Sequence, residues 1–233
     1  MPETRHSAPI ACVFDVYGTL LDVSGAVRQV RARLGERAER LDELWRRKQL
    51  EYSWLISLMQ RPADFDAVTR AALDHALAAL GIREPDVRET LLAAYLDLPP
   101  FAEVPGVLEA LRERGLRLAV LSNGTRRMLE RALDRAGLLD RFEAVVSVEE
   151  VGVFKPAPEV YARACARLGL GRGAILFLSA NAWDAHGAAS FGLQSLWINR
   201  RGVVPERLPG ELAGEVRDLA GVLAWLERTS AGA

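Results

Sequence analysis

Five short apolar runs stand out along the chain, at 10–15, 116–122, 144–148, 174–179 and 194–199. Each is aliphatic or β-branched and nearly continuous. A strand with one wet face alternates apolar and polar positions, so continuous runs predict a parallel sheet covered on both faces. Helical spacing fills the gaps between the later runs. Residues 125–136 place Met128, Leu129, Ala132, Leu133 and Ala136 on one face and stop at Gly137. Residues 104–114 end at Gly115, and 158–168 and 183–191 read the same way. Strand and helix in alternation predict an α/β fold with a doubly wound, Rossmann-like parallel sheet.

One stretch breaks the alternation. Residues 24–98 read as about four helical segments with no strand. The longest, 41–59, has apolar side chains at 41, 44, 45, 55, 58 and 59. Asp64 is placed to cap the next, 65–80, which ends at Gly81. Residues 85–96 follow, and Pro99-Pro100 closes the segment. The expected organisation is a catalytic core of residues 1–22 and 99–233, with a helical cap domain of residues 23–98 inserted after the first strand. Both ends, 1–8 and 229–233, are expected to fray.

Composition excludes several classes. With 50% hydrophobic and 26% charged residues, the chain is globular in type. The net charge of -1 supplies no field for nucleic acid. No apolar run approaches the roughly 20 residues that span a bilayer, so no membrane partner is expected. The polar start lacks a secretory apolar stretch, and the expected compartment is the cytoplasm. Cys12 and Cys165 give neither a disulfide framework nor metal-ligand spacing, and both read as core thiols. His6, His75 and His186 fit no Ser-His-Asp or metal spacing.

Open α/β sheets bind ligands beyond the carboxyl ends of their strands. After the first strand comes Asp15-Val16-Tyr17-Gly18-Thr19, and after the second Ser122-Asn123-Gly124-Thr125. After the third comes Lys155-Pro156, and after the fourth Ser179-Ala180-Asn181-Ala182-Trp183-Asp184. Taken alone, these are a turn, an N-cap, a surface lysine and a first-turn helix acid. Together they resemble the haloacid dehalogenase superfamily, in which the first Asp is the nucleophile. The resemblance spans the whole core, and the helical insertion sits where that superfamily often carries a cap.

Most of that superfamily transfers phosphoryl groups, so a metal-dependent phosphatase or phosphonatase is the alternative reading. Two positions argue against it. Tyr17 stands where the phosphatase pattern has its acid, and a phenol is a poor acid at neutral pH. Ala180 stands where that pattern has a Mg²⁺-coordinating acid. The departures resemble the L-2-haloacid dehalogenases instead. So does the cap stretch Trp45-Arg46-Arg47-Lys48-Gln49-Leu50-Glu51-Tyr52-Ser53-Trp54-Leu55. Arg47, where some members have Gln, and Ala180, where some have Ser, depart from the pattern.

The resemblance implies hydrolysis of short (S)-2-haloalkanoic acids to (R)-2-hydroxy acids through an ester on Asp15, without metal or other cofactor. Lys155 keeps Asp15 ionised, and Thr19 orients it. Ser122 and the amides around Tyr17 hold the substrate carboxylate. Arg46 and Asn123 meet the halide, with Phe65 and Trp183 as an apolar wall, and Leu50 touches the alkyl group. Asp184 is the candidate base for ester hydrolysis, aided by Ser179, Asn181 and Lys155. Tyr161 matches a family tyrosine near the site, with simple core packing as an equal reading. The resemblance also implies a homodimer through the cap or the long helix, whose exposed faces read as carrying Trp45, Tyr52 and Trp54.

Overall fold

The five apolar runs pair into one sheet, joined by a sixth strand. The strands are β1 (Ala11–Phe14), β2 (Arg117–Ser122), β3 (Ala144–Ser147), β4 (Ile175–Ser179), β5 (Gln194–Ile198) and β6 (Gly214–Val216). The computed structural model describes residues 9–61 and 63–231. Every pairing is parallel, in the order β3-β2-β1-β4-β5-β6. The chain winds outward from β1 through β2 to β3, then returns to lay β4 on the other side of β1. That reversal opens a crevice at the carboxyl end of β1. All four β1 residues are fully buried, as expected for a strand with helices over both faces.

Among the described residues, five helices, one more than the pattern predicts, fill the 24–98 insertion. They are α1 (Ser24–Arg28), α2 (Arg31–Leu34), α3 (Arg37–Leu58), α4 (Phe65–Ala79) and α5 (Val87–Tyr95). Next, α6 (Val104–Glu113) leads into β2, and α7 (Arg126–Arg135), α8 (Pro158–Leu168) and α9 (Ala182–Phe191) alternate with the later strands. The last helix is α10 (Ala220–Ala231), which runs into the end expected to fray. Residues 1–8, 232 and 233 lie outside the described residues, as does His6. Among the described residues no helix is long and apolar enough to cross a membrane.

The insertion leaves and rejoins the sheet as two adjacent segments. Leu21 bridges Pro100, the Asp22 amide donates to the Pro99 carbonyl at 2.9 Å, and the Phe101 amide donates to Leu20 at 3.1 Å. Local chemistry sets the helices beyond. The Asp64 carboxylate caps α4 by accepting from the Ala67 amide at 2.7 Å. From there α4 buries Phe65, Val68, Ala72, Leu73, Ala76 and Leu77, a helical stripe packed on α3. The facing stripe of α3 is Ala38, Leu41, Trp45, Gln49 and Ser53. Trp45 is therefore not on an exposed face. It is 4% exposed, because its step of four from Leu41 turns it toward α4, and its indole donates to the Thr69 carbonyl at 3.0 Å. Tyr52 and Trp54 are half-buried. The large apolar side chains that α3 and its end do expose are Leu55, Leu58 and Met59. Of the two thiols, Cys12 is fully buried, with its pKa pushed up to about 12 by that burial, whereas Cys165 is only half-buried.

Candidate active site

The turn after β1 is built to aim a carboxylate. Gly18 takes a φ of 85°, which a side chain would strain, and lets the chain fold back so that its amide meets the Leu21 carbonyl at 2.8 Å. The turn brings Thr19 over Asp15. The Thr19 hydroxyl donates to Asp15 Oδ2 at 2.9 Å and accepts from the Ala180 amide at 2.8 Å. That second bond fixes the direction of the first. Asn181 Nδ2 donates to the same Oδ2 at 2.9 Å. Asp15 Oδ1 accepts from Lys155 Nζ at 3.1 Å. One carboxylate oxygen is thus held twice and the other once, on a side chain only 8% exposed.

Lys155 joins two acids. Its Nζ also donates to Asp184 Oδ2 at 2.9 Å, and Tyr161 donates its hydroxyl to Asp184 Oδ1 at 2.8 Å. All three of these side chains are essentially buried. Burial disfavours the Lys155 ammonium, but the Asp15 and Asp184 charges outweigh it and hold its pKa above the ordinary lysine value. Burial pushes the Asp184 carboxyl above the usual carboxylate range; Lys155 opposes the shift and Asp15 adds to it. Burial, and then the Asp184 charge, push the Tyr161 phenol well above its ordinary value, so it stays a neutral donor.

The remaining predicted residues fall around this chain of charges. Ser122 ends β2 fully buried, with its hydroxyl accepting from the Gly124 amide at 3.3 Å. Asn123 Oδ1 accepts from the Lys155 amide at 3.0 Å, which leaves Nδ2 without a partner among the described residues. Ser179 does not reach the acids; its hydroxyl accepts from the Asn181 amide at 3.2 Å and shapes that loop. Arg46 reaches down from α3 to the Tyr17 carbonyl at 3.4 Å. Leu50, Arg46, Asn181 and Trp183 line one cleft of about 610 Å³, together with the exposed Arg47. Phe65 is not part of that cleft: it packs on Tyr17 and Phe154, with ring centroids 6.1 and 5.9 Å away, while Trp183 packs on Trp54 at 5.4 Å. His75 stands edge-on to Tyr52, and His186 Nδ1 meets the Gly210 carbonyl at 2.9 Å, so neither joins the site.

A family model for haloacid dehalogenase-like hydrolases matches residues 11–192, from β1 to the end of α9. The chain belongs to that family. It is 46% identical over 220 residues to the (S)-2-haloacid dehalogenase of Pseudomonas sp. (strain YL), covering 94% of each chain. It is 41% identical over 212 residues to (S)-2-haloacid dehalogenase 4A of Burkholderia cepacia, covering 90% of this chain and 91% of that one. Its fold is similar to that of the L-2-haloacid dehalogenase from Xanthobacter autotrophicus with chloropropionic acid covalently bound. There the TM-score is 0.82 at 35% identity, over 94% of this chain and 98% of that one.

The metal-using members of a dehalogenase-like family need oxygen donors converging on one point. This chain's donor set does not fit a divalent ion. Asn181 Nδ2 spans Asp15 Oδ2 at 2.9 Å and the Tyr17 carbonyl at 3.4 Å, and Arg46 approaches the same carbonyl. Oxygens that would face a cation face N–H donors instead. Ala180 offers no carboxylate, and Lys155 lies between the two acids that are present. Among the described residues no group of three or more His, Cys, Asp or Glu side chains is placed to hold a metal.

Sequence reasoning missed the shell behind Arg46. Gln49, 1% exposed, accepts from Arg46 Nη1 at 2.7 Å and donates to the Thr69 hydroxyl at 2.7 Å and the Tyr95 hydroxyl at 3.2 Å. Tyr95 in turn stacks on Tyr17 at 5.0 Å. The spacing of three between Arg46 and Gln49 was the one signal available. Arg200, after β5, was missed as well. It donates to the Thr19 carbonyl at 2.7 Å and to Glu103 at 2.6 Å, and so braces the turn that follows Asp15.

Proposed function

We propose that this chain is a (S)-2-haloacid dehalogenase that hydrolyses short (S)-2-haloalkanoic acids to (R)-2-hydroxy acids without a metal ion. The observation that carries the reading is the buried Lys155 ammonium bridging Asp15 and Asp184, which sets a fixed positive charge against the Asp15 carboxylate at a nearly dry site. Asp15 Oδ1, with its single hydrogen bond, attacks the α-carbon and the carbon–halogen electron pair leaves with the halide. Configuration inverts and an aspartyl ester forms. Ser122 and the Val16 and Tyr17 amides hold the substrate carboxylate, and Arg46 with Asn123 Nδ2 receives the halide. Leu50 and Trp183 supply the apolar surroundings, and Phe65 backs Tyr17 from behind.

Water then attacks the ester carbonyl of Asp15. Its proton passes to Asp184, whose raised pKa makes it a better base than an ordinary aspartate. The acyl–oxygen bond breaks, the departing alkoxide takes a proton back from Asp184 and leaves as the 2-hydroxy acid, and the new Asp15 carboxyl, holding one oxygen from water, gives its proton to solvent and is a carboxylate again. Thr19 and Asn181 keep the carboxylate aimed in both steps, Ser179 shapes the loop that carries Asn181, and Tyr161 holds Asp184.

The test is halide release from (S)-2-chloropropionate with and without EDTA. Equal rates are expected. Release of phosphate from a phosphomonoester, abolished by EDTA, would instead establish the phosphatase reading.

Residues 23–98 act as a cap over a core of residues 1–22 and 99–233. The enzyme works in the cytoplasm as a homodimer through α3, where the exposed Leu55 and Leu58, with Met59 at its end, supply the apolar contact. Light scattering is expected to give twice the chain mass, and Leu58→Glu to halve it. A monomeric native chain would refute the dimer.

A further inference from the structure

Gly187 has no turn to make. It lies inside α9, one helical turn beyond Asp184, and its φ is not in the left-handed region. Glycine in a helix interior is destabilising relative to alanine, so its presence calls for another reason. A Cβ at this position would lie 2.6 Å from the Tyr161 hydroxyl oxygen and 2.6 Å from Pro156 Cβ. Non-bonded atoms do not approach that closely.

Neither neighbour has room to yield. Tyr161 is fully buried, its ring edge-on to Phe177 at 5.7 Å and stacked on Phe191 at 6.0 Å. Its hydroxyl is committed to Asp184 Oδ1 at 2.8 Å. Pro156 is tied to Lys155, whose amide is held by Asn123 and whose Nζ is held by both acids. A methyl group at 187 would therefore push the Tyr161 hydroxyl off Asp184, the Lys155-Pro156 segment off its seat, or both.

We propose that Gly187 is a positioning residue for hydrolysis of the Asp15 ester: by lacking a side chain, it lets Tyr161 and Lys155-Pro156 close on Asp184 from two sides. The inference rests on the dehalogenase reading and on Asp184 preparing the water. It goes beyond that reading by assigning a non-reacting backbone position to the second chemical step.

The experiment compares native enzyme, Gly187→Ala, Tyr161→Phe and the double variant on (S)-2-chloropropionate. Rapid quench and mass spectrometry of the Asp15 peptide follow the ester, and steady-state halide release gives kcat and KM. For Gly187→Ala, kcat falls roughly ten- to hundredfold, the loss expected for one hydrogen bond to a charged group. KM for the haloacid does not rise, and the ester accumulates above its native level. Tyr161→Phe reproduces the accumulation. The double variant is no slower than the slower single one, because removing the hydroxyl removes one of the two collisions.

A Gly187→Ala enzyme with native turnover, or one that is slow without ester build-up, overturns the proposal. If Gly187→Ala does not fold, Tyr161→Phe decides: ester hydrolysis at the native rate overturns it, and accumulation upholds it. Native chain that releases no halide would sink the dehalogenase reading, and this proposal with it. Native chain that turns over normally beside an unaffected Gly187→Ala enzyme sinks the proposal alone.

Discussion

An Asp15→Asn enzyme is expected to release halide at least about ten-thousandfold more slowly than the native chain, the scale of loss seen when a covalent nucleophile is removed. The fold should survive. An amide oxygen can still accept from Thr19 or Lys155, and the Lys155–Asp184 pair remains, at 2.9 Å. What disappears is the anion: a neutral amide does not displace halide from carbon. Slow deamidation would restore a trace of activity that grows on storage. Halide assays on fresh enzyme, with circular dichroism melts as the control, check the prediction. Undiminished turnover would remove Asp15 from the chemistry.

Lys155→Met should damage stability and activity together. It keeps the side-chain volume and deletes the charge from a position only 1% exposed, leaving Asp15 and Asp184 facing each other with their shared counter-ion gone. Breaking a buried pair in this way costs about 3–5 kcal/mol. Losing a preorganised charge at a reacting centre costs about a hundred- to thousandfold in rate. Protonation offers partial relief. Asp184 already binds its proton more tightly than a free aspartate, so acidifying from neutral pH should narrow the stability gap between variant and native chain.

On the alkaline side it is the native chain that changes. Lys155 titrates above its ordinary value in the folded state, so its contribution is complete below the unfolded lysine value. It fades as pH rises through the folded one. Native chain should therefore lose stability in strong alkali that the variant has already lost. Urea melts across pH, together with halide assays, measure both effects. Native-like stability and rate in Lys155→Met would contradict the electrostatic account.

The sheet was legible because strands covered on both faces announce themselves as unbroken apolar runs. The edge strand β6 was not: Gly214, Glu215 and Val216 are few, mixed in polarity and partly exposed. The last helix carries a short signal in Val222, Trp225 and Leu226, buried at helical spacing, with no strand after it to continue the alternation. The two shortest helices, α1 and α2, have five and four residues, too few for a period to show.

The site was partly legible for a different reason. Strand ends in a parallel sheet converge, so Asp15, Ser122, Lys155 and Asp184 form a candidate cluster from order alone. Their roles came from the resemblance. Partnerships between distant helices left no trace in one sequence. Gln49 and Tyr95 are 46 positions apart, and nothing local tells that they share a hydrogen bond behind Arg46. Aromatic bulk does not tell which face of α3 is exposed: steps of four from Leu41 put Trp45 on the side that meets α4.

One catalytic cycle in H₂¹⁸O, with enzyme in molar excess over (S)-2-chloropropionate, tests the covalent route most directly. If the side chain of Asp15 is esterified and then hydrolysed at its own carbonyl, the first hydroxy acid released carries ordinary oxygen and the Asp15 peptide gains one heavy atom. Heavy oxygen in the first product, with an unlabelled Asp15 peptide, would mean that water attacked the substrate itself and that the covalent account is wrong.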